Sequence, residues 1–324
     1  MSKLLTISVP TYNRAELLDR QLTWLASEIL GYEDDCEIVI CDDCSTDTTQ
    51  EILEMWRSAL APKIRFTYHS NEENIGEMAN IVSCLRKANG KFVWSLGDSD
   101  SVQNGTVAYL LSKIREHSDL SVILLNGFGR DMRTNKVVTE RFFESTTDSP
   151  STNSVSEFEH FLRTSIGGVP FISSAVYRTK LLKTAFLAWP DSAKNMASQT
   201  FWMAFCAARG SFIVTPPLYT ESATSIGFIG KDPKWIFKMI FYWIPDVYLR
   251  LMESGYSRRF CFSMIVRNLR SSNSWRVLFG SLKRSPIFAT RGFAHYIRGI
   301  AIATWLFFVK NGRQELFGEL ARLN

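Results

Sequence analysis

Cysteine is scarce, six in 324 residues, too few for a disulfide-held scaffold. Cys36, Cys41 and Cys44 lie close together, but a structural zinc site takes four Cys or His ligands and no second Cys pair follows. Cys41-Asp42-Asp43-Cys44 has redox-motif spacing, yet carboxylates beside thiols are expected to disfavour the thiolate and slow it. Small buried apolar thiols in a reducing cytosol are the simpler reading. Glycine-rich phosphate loops are missing too. No G-x-G-x-x-G follows a strand and no G-x-x-x-x-G-K-[ST] occurs. This disfavours dehydrogenases and P-loop hydrolases and leaves phosphate handling to a metal. No run reaches about 18 apolar residues. The nearest, 299–309, is eleven residues between Arg298 and Lys310, which suits a segment lying in a membrane interface. A secretory signal is not expected, because the apolar run in MSKLLTISVPTYNR stops at Pro10.

What is present is a globular composition, 46% apolar and 21% charged, long enough for about two domains. The formal charge of +5 conceals a split. Residues 230–324 hold 16 Lys/Arg against 5 Asp/Glu, a net of +11, and the remainder nets −6. The same tail carries 18 of the 42 aromatics. Such a tail calls for an anionic partner surface, membrane or nucleic acid. Trp235, Phe237, Phe241, Tyr242 and Trp243 interleave with Lys234, Lys238 and Arg250, and 291–310 repeats the theme. Aromatics beside Lys/Arg suit a headgroup interface. No nucleic-acid-binding motif appears, and the aromatics sit among apolar neighbours rather than as isolated stacking platforms. An anionic membrane is therefore the expected partner and nucleic acid is not. Packing of the aromatics onto the body is the remaining alternative.

The first 125 residues alternate between strand and helix signals. Strands are expected at Leu4–Val9, Glu37–Cys41, Ile64–Tyr68, Phe92–Leu96 and Leu120–Leu125. Helices are expected at Arg14–Ile29, after a Thr48/Glu51 capping box, at Gly76–Lys87 and at Gly105–Glu116. This predicts an α/β fold with a mostly parallel sheet flanked by helices. The middle is less regular. It suggests a hairpin over 128–143 turning at Thr134-Asn135, a loop over Thr146–Ser156 and a strand at Ser173–Tyr177. A helix at Gln199–Ala208 and a strand at Phe212–Thr215 stopped by Pro216-Pro217 complete it. Residues 230–324 read as a helical extension.

Ligands of parallel sheets bind beyond the carboxyl ends of the strands. After the first strand stand Pro10, Thr11 and Tyr12; after the second, Asp42 and Asp43; after the fourth, Gly97-Asp98-Ser99-Asp100. Asp98 and Asp100, one residue apart, are suited to a hard cation such as Mg2+ or Mn2+, which takes one or two carboxylates plus substrate phosphates. Asp42 or Asp43 can accept hydrogen bonds from a nucleobase, and Tyr12 can stack on it. The alternative is that these acids only end strands and cap helices.

SVPTYNR at 8–14, EIVICDDCSTD at 37–47, NIGEMAN at 74–80 and LGDSD at 96–100 resemble the family 2 glycosyltransferases of GT-A fold, in order and spacing over about the first 105 residues. FISSAVYR at 171–178 is similar to the abequosyltransferase-like branch that builds bacterial surface polysaccharide. The resemblance implies a nucleotide-sugar donor (UDP-, dTDP-, GDP- or CDP-linked), Mn2+ or Mg2+, and a donor-binding half at 1–105. An acceptor-binding half at 106–229 and the tail at 230–324 would follow. Pro10, Thr11 and Tyr12 would line the base pocket, Asp43 with Asp42 would contact the base, and Asn74, Gly76 and Asn80 would lie near the nucleotide. Asp98 and Asp100 would form the Asp-x-Asp pair on the ribose and the metal-bound diphosphate. The acceptor would be a growing, lipid-linked O-antigen, capsule or exopolysaccharide on the inner face of the cytoplasmic membrane, attacked with inversion.

Two departures stand out. Cys44 replaces the family's common Gly. Where the family often places its basic Asp, eleven residues before the Gly preceding the late strand, this chain has Ser198-Gln199. Gln takes no proton from a hydroxyl. Asp191, with Glu221 as alternative, is the expected general base; His160 is a residue type that can take a proton near neutrality but sits in an apparent amphipathic helix. A nucleotide-sugar-binding protein that has lost its base, or a nucleotidyltransferase, are the competing functions.

Overall fold

The computed structural model describes residues 3–131, 133–145, 147–164, 171–223, 233–270 and 272–320. The chain divides into two compact units, Met1–Ile226 and Gly227–Asn324. The 229/230 boundary expected from the sequence and Thr146 of the expected loop lie outside the described residues.

The first unit runs β1 (Leu5–Thr11), α1 (Ala15–Glu28), β2 (Cys36–Asp42), α2 (Thr49–Leu60), β3 (Arg65–Ser70), α3 (Glu77–Lys87) and β4 (Phe92–Ser95). A short β5 (Ser101–Val102), α4 (Thr106–Glu116), the long β6 (Leu120–Asp131), β7 (Lys136–Thr139) and α5 (Ser154–Thr164) follow. Next come β8 (Ala175–Arg178), α6 (Thr179–Ala188), α7 (Ser198–Ala207) and β9 (Ser211–Ala223). The strands form one sheet ordered β3-β2-β1-β4-β8-β6-β9-β5, with β7 on β6. β3, β2, β1 and β4 are mutually parallel, as are β6 and β9; β8 runs against both β4 and β6. The sheet is mostly parallel and helix-flanked, as the alternation predicts.

Burial explains the alternation. Leu5, Ile7 and Val9 of β1, Ile38 and Ile40 of β2, and Phe92 and Trp94 of β4 are fully buried against Leu18, Leu22 and Leu25 of α1. Each such side chain contributes about 1.5–3 kcal/mol. The opposite face closes around Val39, Cys41 and Cys84. None of the six cysteines forms a disulfide; burial pushes the Cys36 thiol up to about 12, whereas a hydrogen bond with the Cys84 thiol lowers that of Cys41, against the expectation from the neighbouring carboxylates. Leu5 of β1 pairs with both Cys36 and Phe92, and Thr11 lies beside Asp42. This register brings three strand ends to one edge.

Three local expectations change. Thr48 makes no capping hydrogen bond. Asp47 takes that place: its carboxylate accepts from Thr49 N–H at 3.0 Å and from Ala15 N–H at 3.1 Å, tying the starts of α1 and α2 together. β9 continues through Pro216-Pro217. The β6–β9 register shifts between Leu124↔Val214 and Asn126↔Leu218, and an irregular stretch of ladder tolerates residues with no N–H to donate. Ser173 stands in a short 3-10 turn, Ile172–Ser174, that precedes β8.

The second unit is helical: α8 (Pro233–Lys238), α9 (Ile244–Glu253), α10 (Arg258–Arg267), α11 (Ser272–Arg284) and α12 (Pro286–Leu320). A π-type turn, Met239–Trp243, joins α8 to α9, with Ile244 N–H reaching back to Met239. Pro245 has no N–H for the Phe241 carbonyl, a reason for the wider turn there. Phe237, Phe241 and Tyr296 are buried in the unit's own core, with ring centroids 4.7 Å apart for Phe237–Phe241 and 5.5 Å for Phe241–Tyr296. Among the described residues no helix is long and apolar enough to cross a membrane.

Candidate active site

A cleft of about 380 Å³ lies at the edge where β1, β2 and β4 end. Pro10, Thr11 and Tyr12 come from the end of β1, Asp43 from β2, and Gly97, Asp98, Ser99 and Asp100 from β4. Asn74, Glu77, Asn80 and Ile81 come from the start of α3, and Ile172 from the turn before β8. Arg14 completes the lining and is its sole basic residue among the described residues. Tyr12 is 43% exposed on the rim, open to stacking.

Asp43 is buried and heavily engaged. Its Oδ1 accepts from Asn71 Nδ2 and Ile75 N–H, both at 2.9 Å, and its Oδ2 from Gly76 N–H at 2.9 Å. Gly76 has φ +90°, a conformation that favours glycine and turns its N–H onto that carboxylate. Asn80 donates to the Cys41 and Thr11 carbonyls at 2.9 and 3.3 Å, clamping the two strand ends. Asn74 caps locally, accepting from Gly76 N–H at 3.1 Å.

Asp98 accepts from Thr11 Oγ1 at 2.8 Å and pairs with Arg14 Nη1 at 3.0 Å. Burial pushes its carboxyl up and Arg14 opposes that. Asp100 Oδ2 accepts from Ser173 Oγ at 2.5 Å. Burial pushes Asp100 up to about 6; the Ser173 hydroxyl opposes this, and the charge of Asp98 adds to it. Burial, with a smaller push from Asp98, also raises Glu77, while Arg14 lowers it. The Asp98 charge holds Arg14 firmly protonated. Four carboxylates thus share a partly enclosed space with one guanidinium, an arrangement that favours a further cation.

A divalent ion fits this donor set in a limited way. Among the described residues no group of three or more His, Cys, Asp or Glu is arranged to hold a metal. Both Asp98 oxygens are taken, whereas Asp100 has a single side-chain donor among the described residues. One carboxylate with a second close by, completed by substrate phosphates and water, is how Mg2+ is commonly held.

Several expected residues stand elsewhere. Asp42 does not line the cleft. Its oxygens accept from Ser45 and, at 2.7 Å, from Gln50 Nε2, so it organises the loop after β2. Gly76 acts through its backbone, as above. Asp191 is also absent from the cleft. It lies in the 3-10 turn Pro190–Lys194, 71% exposed, with Lys194 at 2.9 Å. Glu221 lies on β9 opposite Ser101, the residue after Asp100, and is ion-paired with Arg130 at 2.6 Å. Gln199 is buried and donates to the Phe171 carbonyl at 2.8 Å, supporting the segment that carries Ser173. His160 lies on α5 and does not line the cleft.

Arg14 and Ser173 carry site contacts that the sequence reading did not assign, although both fall inside quoted motifs. Ser173 is fully buried. Its carbonyl accepts from Trp94 Nε1 at 2.8 Å and its hydroxyl from Gly97 N–H at 2.9 Å. Gly97 itself is required: a Cβ there would lie 2.3 Å from Asp100 Oδ2. Gly97→Ala is expected to displace that carboxylate and lower activity by about 10²-fold, with a melting temperature near that of the parent; steady-state rates and thermal unfolding check both.

Residues 6–185 match the family described as glycosyl transferase family 2. The chain is 30% identical over 117 residues to abequosyltransferase RfbV of Salmonella typhimurium, covering 36% of this chain and 34% of that one. It is 28% identical over 199 residues to the poly(ribitol-phosphate) beta-N-acetylglucosaminyltransferase TarS of Staphylococcus aureus, covering 61% and 31%. The chain therefore spans about a third of the length of these curated relatives. Its fold resembles that of TarS residues 1–349 in complex with UDP-GlcNAc, with a TM-score of 0.65 at 17% identity over 92% of this chain and 81% of that one. It also resembles the Pyrobaculum calidifontis mannosyltransferase PcManGT in complex with GDP-Man and Mn2+, with a TM-score of 0.57 at 16% identity over 95% and 86%.

Proposed function

The chain belongs to glycosyl transferase family 2, and from that premise we propose that it transfers a sugar from a nucleotide-sugar donor to a hydroxyl of a bacterial polysaccharide. The observation that carries this is the convergence of Tyr12, Asp43, Asp98 and Asp100 on one cleft at the strand ends. In this reading residues 1–105 hold the donor and 106–229 the acceptor. Tyr12 stacks on the base and Pro10 and Thr11 wall its pocket. Asp43, fixed by three donors, accepts from the base; Asn74, Gly76 and Asn80 shape that side of the cleft. Asp98, held by Thr11 and Arg14, meets the ribose. Asp100 would hold Mn2+ or Mg2+ with Asp98 nearby, and the ion would supply positive charge against the diphosphate.

The acceptor oxygen attacks the anomeric carbon from the face opposite the diphosphate. The bond to the diphosphate oxygen breaks, its electrons leave with the nucleotide, and configuration inverts. The hydroxyl proton passes to a base. Asp191 faces solvent beside Lys194, so Glu221, which pairs in the ladder with Ser101, the residue after Asp100, and is ion-paired with Arg130, is the acid assigned here. Glu221→Gln is expected to lower kcat by about 10²-fold with donor affinity unchanged, read by initial rates and calorimetry.

The acceptor in this reading is lipid-linked, met at the cytoplasmic face of the membrane. One relative's name, a Campylobacter jejuni beta-1,3-glucosyltransferase, specifies an undecaprenol-linked glycan; it is 29% identical over 112 residues. Gln199 favours a second reading, a donor-binding protein without transfer, which any measured transfer abolished by Asp100→Ala would eliminate. A thermal-shift screen of UDP-, GDP-, dTDP- and CDP-sugars with and without Mn2+ tests the proposal; no stabilisation by any of them would overturn it.

A further inference from the structure

α12 has two unlike faces. Ala289, Gly292, Tyr296, Gly299 and Ala303, spaced three and four apart, are buried within the second unit. A Cβ on Gly292 would lie 2.3 Å from the Phe237 ring, Gly299 leaves 3.6 Å to Leu249 Cδ1, and Tyr296 donates to the Ile265 carbonyl at 2.7 Å. This close-packed seam fixes the rotation of the helix about its axis. The opposite face is thereby committed to solvent. It runs Ile287, Arg291, Ala294, Arg298, Ile302 and Trp305, again three or four apart and all exposed, over about 27 Å.

A helix facing water carries charged and polar side chains outward. Here Ile287 is 70% exposed, Ile302 40% and Trp305 61%. α11 extends the surface: Trp275 and Phe279 are exposed and stacked with centroids 6.2 Å apart, and Trp275 lies 6.4 Å from Phe293 of α12. From 272 to 307 there are five Lys/Arg and no Asp or Glu. The aromatics of this unit thus divide. Phe237, Phe241 and Tyr296 pack inward, whereas Phe279 and Trp305 do not. Apolar side chains with interspersed arginines and no acid complement an anionic lipid surface, not a neutral or cationic one.

We propose that the outward face of α11 and α12 is the surface on which the protein lies against an anionic bilayer. Trp305, Ile302 and Phe279 enter the interfacial layer while Arg291 and Arg298 meet lipid phosphates. The proposal deepens the lipid-linked-acceptor reading above and rests on it for its purpose.

The test is flotation of the full chain with phosphatidylcholine vesicles with and without phosphatidylglycerol. The parent is expected to float with the anionic vesicles and remain below with the neutral ones. The double variant I302E/W305E is expected to lose at least about tenfold in partitioning, with its melting temperature unchanged because both side chains are exposed. R291Q/R298Q is expected to narrow the difference between the two vesicle types. Failure of the parent to float, or flotation of I302E/W305E at the parent's level, overturns the proposal. So does a dimer in light scattering that I302E/W305E dissociates while flotation stays unchanged, since the face would then join two copies of the chain. Donor binding is measured separately. Its failure with flotation intact overturns the transferase reading alone, and the converse overturns the docking surface alone.

Discussion

Asp100→Asn is expected to abolish measurable sugar transfer, a fall on the order of 10³-fold, while making the donor-free protein more stable. Asp100 is held on Ser173 and burial pushes its carboxyl up to about 6. Its charge is therefore tolerated in the fold for a reason other than folding. The sign follows from linkage. The folded-state pKa lies above the unfolded one, so the ionised carboxylate costs stability above about 6, and the cost fades as the pH falls toward the unfolded value. At neutral pH the neutral amide should stabilise by about 1–3 kcal/mol, with the gain disappearing in acid. Urea unfolding at pH values on both sides of that window measures it. By the same titration, cation-assisted donor binding by the parent should weaken as the pH falls below about 6.

Asp43→Ala is expected to act on both fold and donor. Removing the carboxylate leaves Ile75 N–H, Gly76 N–H and Asn71 Nδ2 without this acceptor at the start of α3. Gly76 N–H and Asn71 Nδ2 keep acceptors on Asn74 and Asn80 at 3.1 and 3.2 Å, so the cost is that of the charge-assisted bonds and the Ile75 N–H, and a loss of about 1–3 kcal/mol is expected in denaturant unfolding. Nucleotide affinity should fall at least about tenfold, measured calorimetrically at a temperature where the variant remains folded. Asp43→Asn, which keeps one acceptor oxygen, should recover part of the stability while presenting an NH2 to the base.

These two acids show what the sequence makes legible. Short apolar runs such as Ile38–Cys41 bury both faces of a parallel strand, and that leaves a strong local signal; acids directly after them stand out. Their convergence follows from topology alone. Asp42 and Asp43 are less separable, because one residue along a strand end reverses which way a side chain points. Only the fold shows that Asp42 serves Ser45 and Gln50 and that Asp43 faces the cleft. Arg14 and Ser173 escaped assignment because their meaning is a partner 84 and 73 residues away in sequence, respectively. Pro216-Pro217 read as a strand end because a register shift on the partner strand has no signature in the prolines themselves. Asp191 read as a base by its nearness in sequence to the expected position, a criterion blind to its exposure.

In the proposed function Asp43, Asp98 and Asp100 bind the nucleoside diphosphate part of a sugar donor. Calorimetric titration of the full chain with UDP, GDP, dTDP and CDP in Mn2+ tests it most directly. At least one diphosphate should bind, more weakly without the ion and far more weakly to Asp100→Ala. If none of the four binds, or if one binds equally well to Asp100→Ala, the account is contradicted.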